Sequence, residues 1–274
     1  MKDYTKTLPE HIEKYIGEND LFLEIFEGGS VARAAGKRPP LLFVHGAYTG
    51  SWMWSKYIPH FVDEGWKCYA MNLRGHYRSR VTDLTRVTFE DYLEDIREVI
   101  AECGGPPIVI GFSMGGMLTQ KLAETAGFAG LVLIDSSISR EVYEIAPYGE
   151  EDEYKMGIIE PAPAREETSS MDESPEDIAF QKKYLAMESS KAIGAYRCFH
   201  EGNYGVSING ALAKCPCLVI KAVNGRDDEL RGKATAGQFH GEYAGFRNTT
   251  HTGLLVGQRY LKVVDRMLEW LKTY

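Results

Sequence analysis

Cysteine is scarce in this sequence, and the few that occur do not form a redox or zinc motif. There are five, an odd number: Cys68, Cys103, Cys198, Cys215 and Cys217. A single proline separates Cys215 from Cys217, whereas redox and zinc pairs usually have two intervening residues. We therefore expect reduced thiols, no disulfide framework and no metal site, as is typical of an intracellular protein.

Long apolar runs and an excess of positive charge are also missing. No stretch approaches the length of a membrane span, and residues 1–6 are not followed by an apolar segment. We expect no signal peptide, no membrane span and a cytoplasmic location. The net charge of −8, from 31 basic and 39 acidic residues, argues against a nucleic-acid partner. A groove that binds phosphates needs clustered Lys and Arg.

What the sequence does have is an alternation of apolar, strand-like runs with amphipathic helical stretches. This alternation predicts an α/β fold with a mostly parallel central sheet flanked by helices. The predicted buried strands are residues 41–44, 67–71, 108–112, 131–134 and 217–223. Residues 21–26 fit an early antiparallel strand, and residues 243–246 fit a short late one. Thr88 and Asp91 predict a capping box at the start of a helix.

The pattern changes between residues 139 and 206. This stretch is acidic, contains Pro161-Ala162-Pro163 and has no strong buried strand, and only residues 178–196 look helical. We expect a core built from residues 1–138 and 207–274, interrupted by a lid or cap at 139–206. Ligands of open α/β sheets bind above the strand carboxyl ends, where such an insertion would lie. A surface decoration without a role in binding is the alternative.

The most informative motif is Gly-Phe-Ser-Met-Gly at residues 111–115, which follows the strand at 108–112. A helical pattern begins directly after it. A serine on a sharp strand-to-helix turn is exposed at the top of a sheet, with a helix N-terminus beneath it. The strand–turn–helix context therefore marks Ser113 as a candidate nucleophile.

A serine hydroxyl needs a base, and the base needs a carboxylate to hold it in one tautomer. His251 follows the last predicted strand and is the best placed histidine. For the acid, Asp228 and its neighbour Asp227 follow the strand at 217–223, while Asp135 follows the strand at 131–134. All three are candidates for the acid.

These landmarks, together with His45-Gly46 after an early strand and Gly225-x-x-Asp228, make the chain resemble the α/β-hydrolase-fold serine hydrolases over nearly its whole length. The resemblance implies Ser113 as nucleophile, Asp228 as acid and His251 as base. By the same resemblance we rank the acids Asp228, then Asp135, then Asp227. It also implies that the backbone N–H groups of Ala47 and Met114 form the oxyanion hole.

A narrower resemblance lies in the stretch His-Gly-Ala-Tyr-Thr-Gly-Ser-Trp-Met-Trp at residues 45–54. It is similar to the H-G-x-x-x-G-x-W-x-W stretch of small-ester hydrolases and hydroxynitrile lyases. Tyr48 and Trp52 are therefore candidate pocket residues. The alternative is that Trp52 and Trp54 only anchor the segment that follows.

The chain departs from the family at residues 72–79. The family often has Asp-x-x-Gly-x-Gly-x-Ser here, whereas this chain has Asn72 in place of the Asp and Tyr77 in place of a glycine. A tyrosine does not easily adopt a positive φ. We therefore expect a differently shaped loop.

The sequence thus predicts a serine hydrolase, a carboxylesterase, that cleaves a small acyl compound through an acyl-enzyme without metal or organic cofactor. Some hydrolases of the fold that this chain resembles have an aspartate at the position of Ser113, so the serine here implies acyl transfer. Two alternatives share the triad. One is a hydroxynitrile-lyase-type or C–C-bond-cleaving enzyme. The other is a small-molecule receptor, for which the acidic run Glu150–Glu153 would be a partner surface rather than a solvated face.

Overall fold

An eight-stranded sheet forms the centre of the molecule. The computed structural model describes residues 2–28, 38–148, 158–166, 171–197, 199–200 and 203–274. The strands of this sheet are β1 (Ile12–Ile16), β2 (Leu21–Phe26), β3 (Leu41–Val44), β4 (Cys68–Met71), β5 (Ile108–Phe112), β6 (Gly130–Ile134), β11 (Cys217–Val223) and β12 (Glu242–Arg247). Across the sheet they lie in the order β1-β2-β4-β3-β5-β6-β11-β12. β1 and β2 run antiparallel to their neighbours, and all other pairings in this sheet are parallel.

Helices lie on both faces of the sheet, so its central strands are buried on both sides. The helices of the core are α1 (Ile58–Asp63), α2 (Phe89–Glu102), α3 (Met114–Ala123), α7 (Arg226–Gln238), α8 (Gly253–Val256) and α9 (Tyr260–Leu271). Alternate residues of β3 belong to different hydrophobic clusters: Leu42 and Val44 pack on one face, Leu41 and Phe43 on the other. Strands buried on both faces appear as continuous apolar runs, which is why the sequence revealed them.

The predicted α/β architecture is confirmed, including the antiparallel direction of β2 and the late strand β12. The capping box at the start of α2 is also present: Thr88 accepts the Asp91 N–H, and Asp91 accepts the Thr88 N–H. The first strand, β1, was not predicted. Its sequence, Ile-Glu-Lys-Tyr-Ile, has neither a continuous apolar run nor a regular alternation, because the strand lies at an exposed edge where only Ile16 is buried.

The chain leaves the sheet between β6 and β11, where the insertion was predicted. The described elements here are α4 (Arg140–Ile145), β7 (Ile159–Glu160), α5 (Pro175–Tyr184), β8 (Glu188–Ser189), α6 (Ser190–Arg197), β9 (Phe199–His200) and β10 (Asn203–Tyr204). The single helix expected over 178–196 is two helices, α5 and α6, interrupted by β8. The acidic run 150–153 lies outside the described residues. The bounds 139–206 stay a prediction, and "the insertion" below means the residues between them.

The cysteines and the lengths of the helices can be compared with the sequence predictions for the described residues. Cys68, Cys103, Cys215 and Cys217 are free thiols, and Cys198 is not among the residues described. Across the described ranges, none of the helices combines the length and the apolar character that crossing a membrane requires.

Candidate active site

The predicted site residues gather where the parallel strands end. Ser113 directly follows β5, Asp135 directly follows β6, and the turn that contains Ala47 follows β3 by two residues. His251 lies in the loop between β12 and α8. Because the carboxyl ends of parallel strands share one edge of a sheet, residues far apart in sequence meet here.

Ser113 occupies a sharp turn with a backbone conformation that few non-glycine residues adopt. Its φ is 54° and its ψ is −118°. The turn is held by backbone hydrogen bonds: the Ser113 N–H donates to the Ile134 carbonyl at 3.2 Å, and the Ser137 N–H donates to the Ser113 carbonyl at 3.2 Å. A strained residue fixed by its surroundings is typical of functional sites. The turn is therefore built as the motif predicted.

Close packing of α3 against β3 requires a glycine after the nucleophile turn. A Cβ on Gly115 would lie 2.3 Å from the His45 carbonyl oxygen and 2.6 Å from that of Val44. Both atoms belong to the backbone at the end of a central strand, so neither can move away cheaply. The glycine allows the start of α3 to approach β3.

We expect Gly115→Ala to lower the free energy of unfolding by about 2 kcal/mol, because the added methyl overpacks a rigid contact. Gly105→Ala is the matched control. Its Cβ would meet nothing within 4 Å, and we expect a change within about 0.5 kcal/mol. Urea unfolding of both variants measures the difference. Equal stabilities would contradict the packing argument.

His251 is paired with Asp135. The His251 Nδ1 lies 2.5 Å from the Asp135 Oδ2, and the imidazole stacks on the Phe112 ring with centroids 4.5 Å apart. The His251 side chain is 47% exposed, while that of Asp135 is 6% exposed. The buried carboxylate therefore fixes the tautomer of His251, and the Nε2 is left for a proton on the cavity side. The Ser113 hydroxyl makes no hydrogen bond to any described residue. Such contacts are often long in unliganded sites.

The first-ranked acid, Asp228, is not the partner of His251, so that prediction is wrong. Asp228 lies in the first turn of α7, where it accepts the Asn224 N–H and pairs with Arg231 at 3.3 Å. Asp227, the third choice, is exposed in the same turn. The second choice, Asp135, is the carboxylate that reaches His251. Asp135 directly follows β6, whereas Asp228 lies five residues beyond the end of β11, inside α7.

Lys221 is a charged neighbour of the site that the sequence analysis missed. Its Nζ lies 2.6 Å from the Asp135 Oδ1, so the carboxylate is shared between a lysine and a histidine. Burial alone would raise the pKa of Asp135, but the Lys221 ammonium and His251 together hold it well below its usual range. Asp135 is thus ionised at any pH where the protein would work. A lone charge within the apolar run 217–223 was the available signal.

The turn after β3 orients its N–H groups. The Gly46 carbonyl accepts the His45 Nδ1–H at 2.8 Å and the Thr49 hydroxyl at 2.8 Å. In a trans peptide the C=O and the following N–H point in opposite directions, so the Ala47 N–H points away from these two donors. Among the described residues this N–H has no acceptor. The Met114 N–H opens α3 and has no intrahelical acceptor either.

A cavity of about 520 Å³ lies over these groups. Ala47, Tyr48, Ser113, Asp135, Lys221 and His251 line it from the core. The described insertion residues on its wall are Tyr148, Pro163, Arg165, Gln181, Leu185, Tyr196 and Arg197. The size suits a small organic ligand, and the wall mixes aromatic, apolar and charged groups.

Of the two aromatic residues predicted to line the pocket, the structure places only one at the cavity. Tyr48 lines the cavity, whereas Trp52 does not and is 1% exposed. Trp52 instead packs against Phe180 and Tyr184 of α5, with ring centroids 5.5 and 5.6 Å away. Trp54 is buried against Phe43. Trp54 also packs against Tyr57 and so has the anchoring role that was the alternative, whereas Trp52 contacts the insertion rather than the segment that follows it.

The insertion also holds the loop that carries His251. The Glu173 carboxylate accepts the hydroxyls of Thr250 and Thr252, each at 2.9 Å, and pairs with Arg165 at 2.7 Å. Glu173 thus bonds to the residues on both sides of His251. No sequence pattern marked Glu173, because it belongs to a polar segment without periodicity.

The departure at residues 72–79 has a physical explanation, and one expectation about it was wrong. Tyr77 does adopt a positive φ, 47°, and its ring packs edge-on against Phe22 and Tyr184. Packing offsets a backbone cost of about 1–2 kcal/mol. Asn72 donates to the Phe22 carbonyl at 3.1 Å and accepts the Ser51 N–H at 2.8 Å. An ionised Asp could not make the first of these bonds.

Comparison with known proteins agrees with this architecture. Residues 39–152 match the model of a family described as having the alpha/beta hydrolase fold. A search of curated proteins finds no significant match.

Solved structures superpose over nearly the whole chain. An esterase from Thermogutta terrifontis, with malate bound, is 18% identical, with a TM-score of 0.65 and coverage of 97% of this chain and 99% of its own. An alpha/beta hydrolase from Novosphingobium aromaticivorans is 20% identical, with a TM-score of 0.65 and coverage of 96% and 99%. An esterase from Exiguobacterium antarcticum is 16% identical, with a TM-score of 0.65 and coverage of 97% and 100%. By its sheet, its serine turn and these similarities, the chain is an α/β-hydrolase-fold protein.

Proposed function

We propose that this protein is a serine hydrolase that cleaves a carboxylic ester or a similar small acyl compound. The observation that carries the proposal is the pair of His251 and Asp135, whose Nδ1 and Oδ2 atoms lie 2.5 Å apart. This pair borders the same cavity as Ser113, which lies on a strained turn. The esterases among the structural neighbours support the reaction class. The triad proposed is Ser113, His251 and Asp135, with Asp135 taking the place first given to Asp228.

In the proposed mechanism Ser113 Oγ attacks the carbonyl carbon of the substrate while His251 Nε2 accepts the hydroxyl proton. Asp135 stabilises the imidazolium, which then gives its proton to the departing alcohol. The Ala47 and Met114 N–H groups hold the negative oxygen of the tetrahedral intermediate. Each such donor contributes about 2.7–4 kcal/mol to the transition state. Water activated by His251 then releases the acid and restores Ser113.

The insertion is proposed to act as a cap over this chemistry. Its residues form one wall of the cavity, and its Glu173 holds the loop of His251. Water excluded by such a wall cannot screen the charges of the intermediate. The acyl and alcohol groups that fit would be selected by this wall.

A fluorophosphonate probe tests the proposal, because it phosphonylates only an activated serine. We expect one equivalent of label, found on Ser113 by peptide mapping, and multiple turnover of short p-nitrophenyl esters by the unlabelled protein. Accumulation of an acyl-enzyme would separate hydrolysis from lyase chemistry with the same side chains. If the protein shows no labelling of Ser113 and no ester turnover, the proposed function is rejected.

Lys221 gives the reaction an expected pH signature. Its positive charge lies beside Asp135 and offsets part of the negative charge that stabilises the imidazolium formed during the reaction, so removal of the lysine should strengthen that stabilisation. Asp135 itself, whose pKa is held well below its usual range, does not titrate in this window. In Lys221→Met we expect the acidic limb of the kcat/KM profile to move up by about one pH unit.

Lys221→Arg is the control for this prediction, since it keeps the charge beside Asp135 and should leave the limb where it is. The profile is measured from pH 4 to 9 with an ester whose leaving group does not titrate there. An unmoved limb in Lys221→Met would show that the lysine does not act on the triad electrostatically.

A further inference from the structure

Glu188 is a buried carboxylate that the proposed mechanism does not use. It lies on β8 in the insertion, and its side chain is 0% exposed. Its Oε1 accepts the Tyr92 hydroxyl at 2.5 Å and the Ser189 N–H at 2.7 Å. Its Oε2 faces the His76 Nε2 at 2.9 Å and the Tyr48 N–H at 3.3 Å. A group from the insertion thus reaches the turn that follows β3.

The hydrogen bonds of two neighbouring buried histidines define their charges. His45 donates from Nδ1 to the Gly46 carbonyl and accepts the Leu73 N–H at its Nε2, so it is neutral. Burial and the nearby His76 lower the pKa of His45 to about 3. His76 faces the Arg74 carbonyl with Nδ1 and the Glu188 carboxylate with Nε2, so both nitrogens must donate. His76 is therefore an imidazolium, and Glu188 is its counter-ion.

Three successive peptide units of the turn are each fixed by a named group. His45 and Thr49 hold the Gly46 carbonyl, and with it the direction of the Ala47 N–H. Glu188 accepts the N–H of the next unit, that of Tyr48. The Ala186 N–H donates to the Tyr48 carbonyl at 2.9 Å. Two of these three restraints come from the insertion, within residues 186–188.

The turn needs such restraints, because its backbone is strained. Tyr48 has a φ of 66°, which a bulky residue adopts only where its surroundings impose it. Relaxation of Tyr48 would rotate the peptide unit next to Ala47. An oxyanion donor must be held in place before the reaction, since a displacement of 1 Å can cost about 100-fold in rate.

We propose that Glu188 is a positioning residue for the oxyanion hole, and that the segment Ala186–Glu188 couples the insertion to the Ala47 N–H. The inference rests on the proposed function, since it assigns Glu188 to a site defined by acyl transfer. A positioning role for Glu188 differs from a purely structural role in the group that the residue acts on. The ion pair with His76 and the bonds to Tyr92 and Ser189 satisfy the buried carboxylate, whereas the bond to the Tyr48 N–H acts on the turn.

Three variants separate positioning from anchoring. Glu188→Met removes every acceptor at similar length, Glu188→Gln keeps one oxygen that can still accept the Tyr48 N–H, and Tyr92→Phe removes a bond to Oε1 only. We expect kcat for a p-nitrophenyl ester to fall about 10- to 100-fold in Glu188→Met, less in Glu188→Gln, and less than about threefold in Tyr92→Phe. KM should change less than about threefold throughout, because ground-state binding does not use the hole.

Two further measurements make the test specific. The inhibition constant of a trifluoromethyl ketone, which forms an oxyanion on the enzyme, should rise by the same factor as kcat falls. Hydrogen exchange of peptides that cover residues 46–49 should accelerate in Glu188→Met and not in Tyr92→Phe. If Glu188→Met does not fold, Glu188→Gln carries both measurements.

The outcomes distinguish this inference from the proposed function. If the wild-type protein shows neither ester turnover nor probe labelling, the proposed function is rejected. The hydrogen-exchange measurement still decides whether Glu188 holds the turn. With an active wild type, an unchanged kcat in Glu188→Met overturns the inference alone. The inference is also overturned if kcat falls in both Glu188→Met and Tyr92→Phe in proportion to their losses of stability. That result would show that Glu188 only anchors the insertion.

Discussion

Ser113→Ala is expected to lower kcat for a short ester by roughly a million-fold, the loss seen when a triad nucleophile is removed. The residual rate should come from the oxyanion donors and the binding of substrate, which do not depend on the hydroxyl. Steady-state hydrolysis of p-nitrophenyl acetate measures the effect. The preparation must be free of contaminating esterase, because a trace of it would mask a loss of this size.

The fold should survive this substitution. The structure holds the turn through the backbone of Ser113, with hydrogen bonds to Ile134 and Ser137, and the hydroxyl has no partner among the described residues. We expect the free energy of unfolding to change by less than about 0.5 kcal/mol. Turnover by folded Ser113→Ala near the wild-type rate would rule out Ser113 as the nucleophile.

Ser113→Cys extends the test, because it keeps a nucleophile on the same turn. We expect one acyl group per protein molecule from the ester, seen by intact mass, with slow release. A cysteine variant that is never acylated would indicate that the turn does not present its side chain to the substrate. The two variants together separate the chemistry of the hydroxyl from its location.

The sheet and the nucleophile could be predicted from the sequence because both depend on local patterns. A strand buried on both faces must be apolar throughout, as β3, β5 and β6 are. The serine turn needs a glycine where α3 meets β3, because a Cβ on Gly115 would collide with the His45 carbonyl. Such constraints are visible in single stretches of sequence.

The partners of the site could not be predicted in the same way, because they depend on long-range contacts. Glu188 and Glu173 lie in a polar segment, and nothing local indicates that one reaches Tyr48 and the other reaches Thr250 and Thr252. The positive φ of Tyr77 was unexpected for the same reason. Aromatic packing with residues distant in sequence stabilises a conformation that local preference disfavours.

The choice of acid was the hardest of these questions, and it leads to the second large expected effect. Asp135 and Asp228 both follow sheet strands, so position along the chain does not separate them. The side chains that pair with each carboxylate decide the matter in the folded protein. Lys221 and His251 both pair with Asp135, whereas Arg231 pairs with Asp228.

Asp135→Asn should therefore lower kcat/KM by about 10⁴-fold, which corresponds to roughly 5.5 kcal/mol in the transition state. An amide at this position can present its NH₂ to Nδ1, so His251 would be held in the tautomer that cannot accept the Ser113 proton. It would also leave Lys221 buried without its counter-ion. Unfolding must be measured alongside activity so that instability is not mistaken for lost catalysis.

Asp228→Asn is the matched control, since it is the same substitution at the other candidate. Asp228 is 29% exposed and bonds to groups of its own helix turn. Its replacement should change kcat/KM less than about threefold and reduce stability by at most about 1 kcal/mol, through the start of α7. The reverse result, an inactive Asp228→Asn with an active Asp135→Asn, would require the His251 loop to bind a different carboxylate during turnover. Because Glu173 holds that loop by the residues on both sides of His251, such a rearrangement would have to break the insertion's contacts as well, and we expect Asp135 to be the acid.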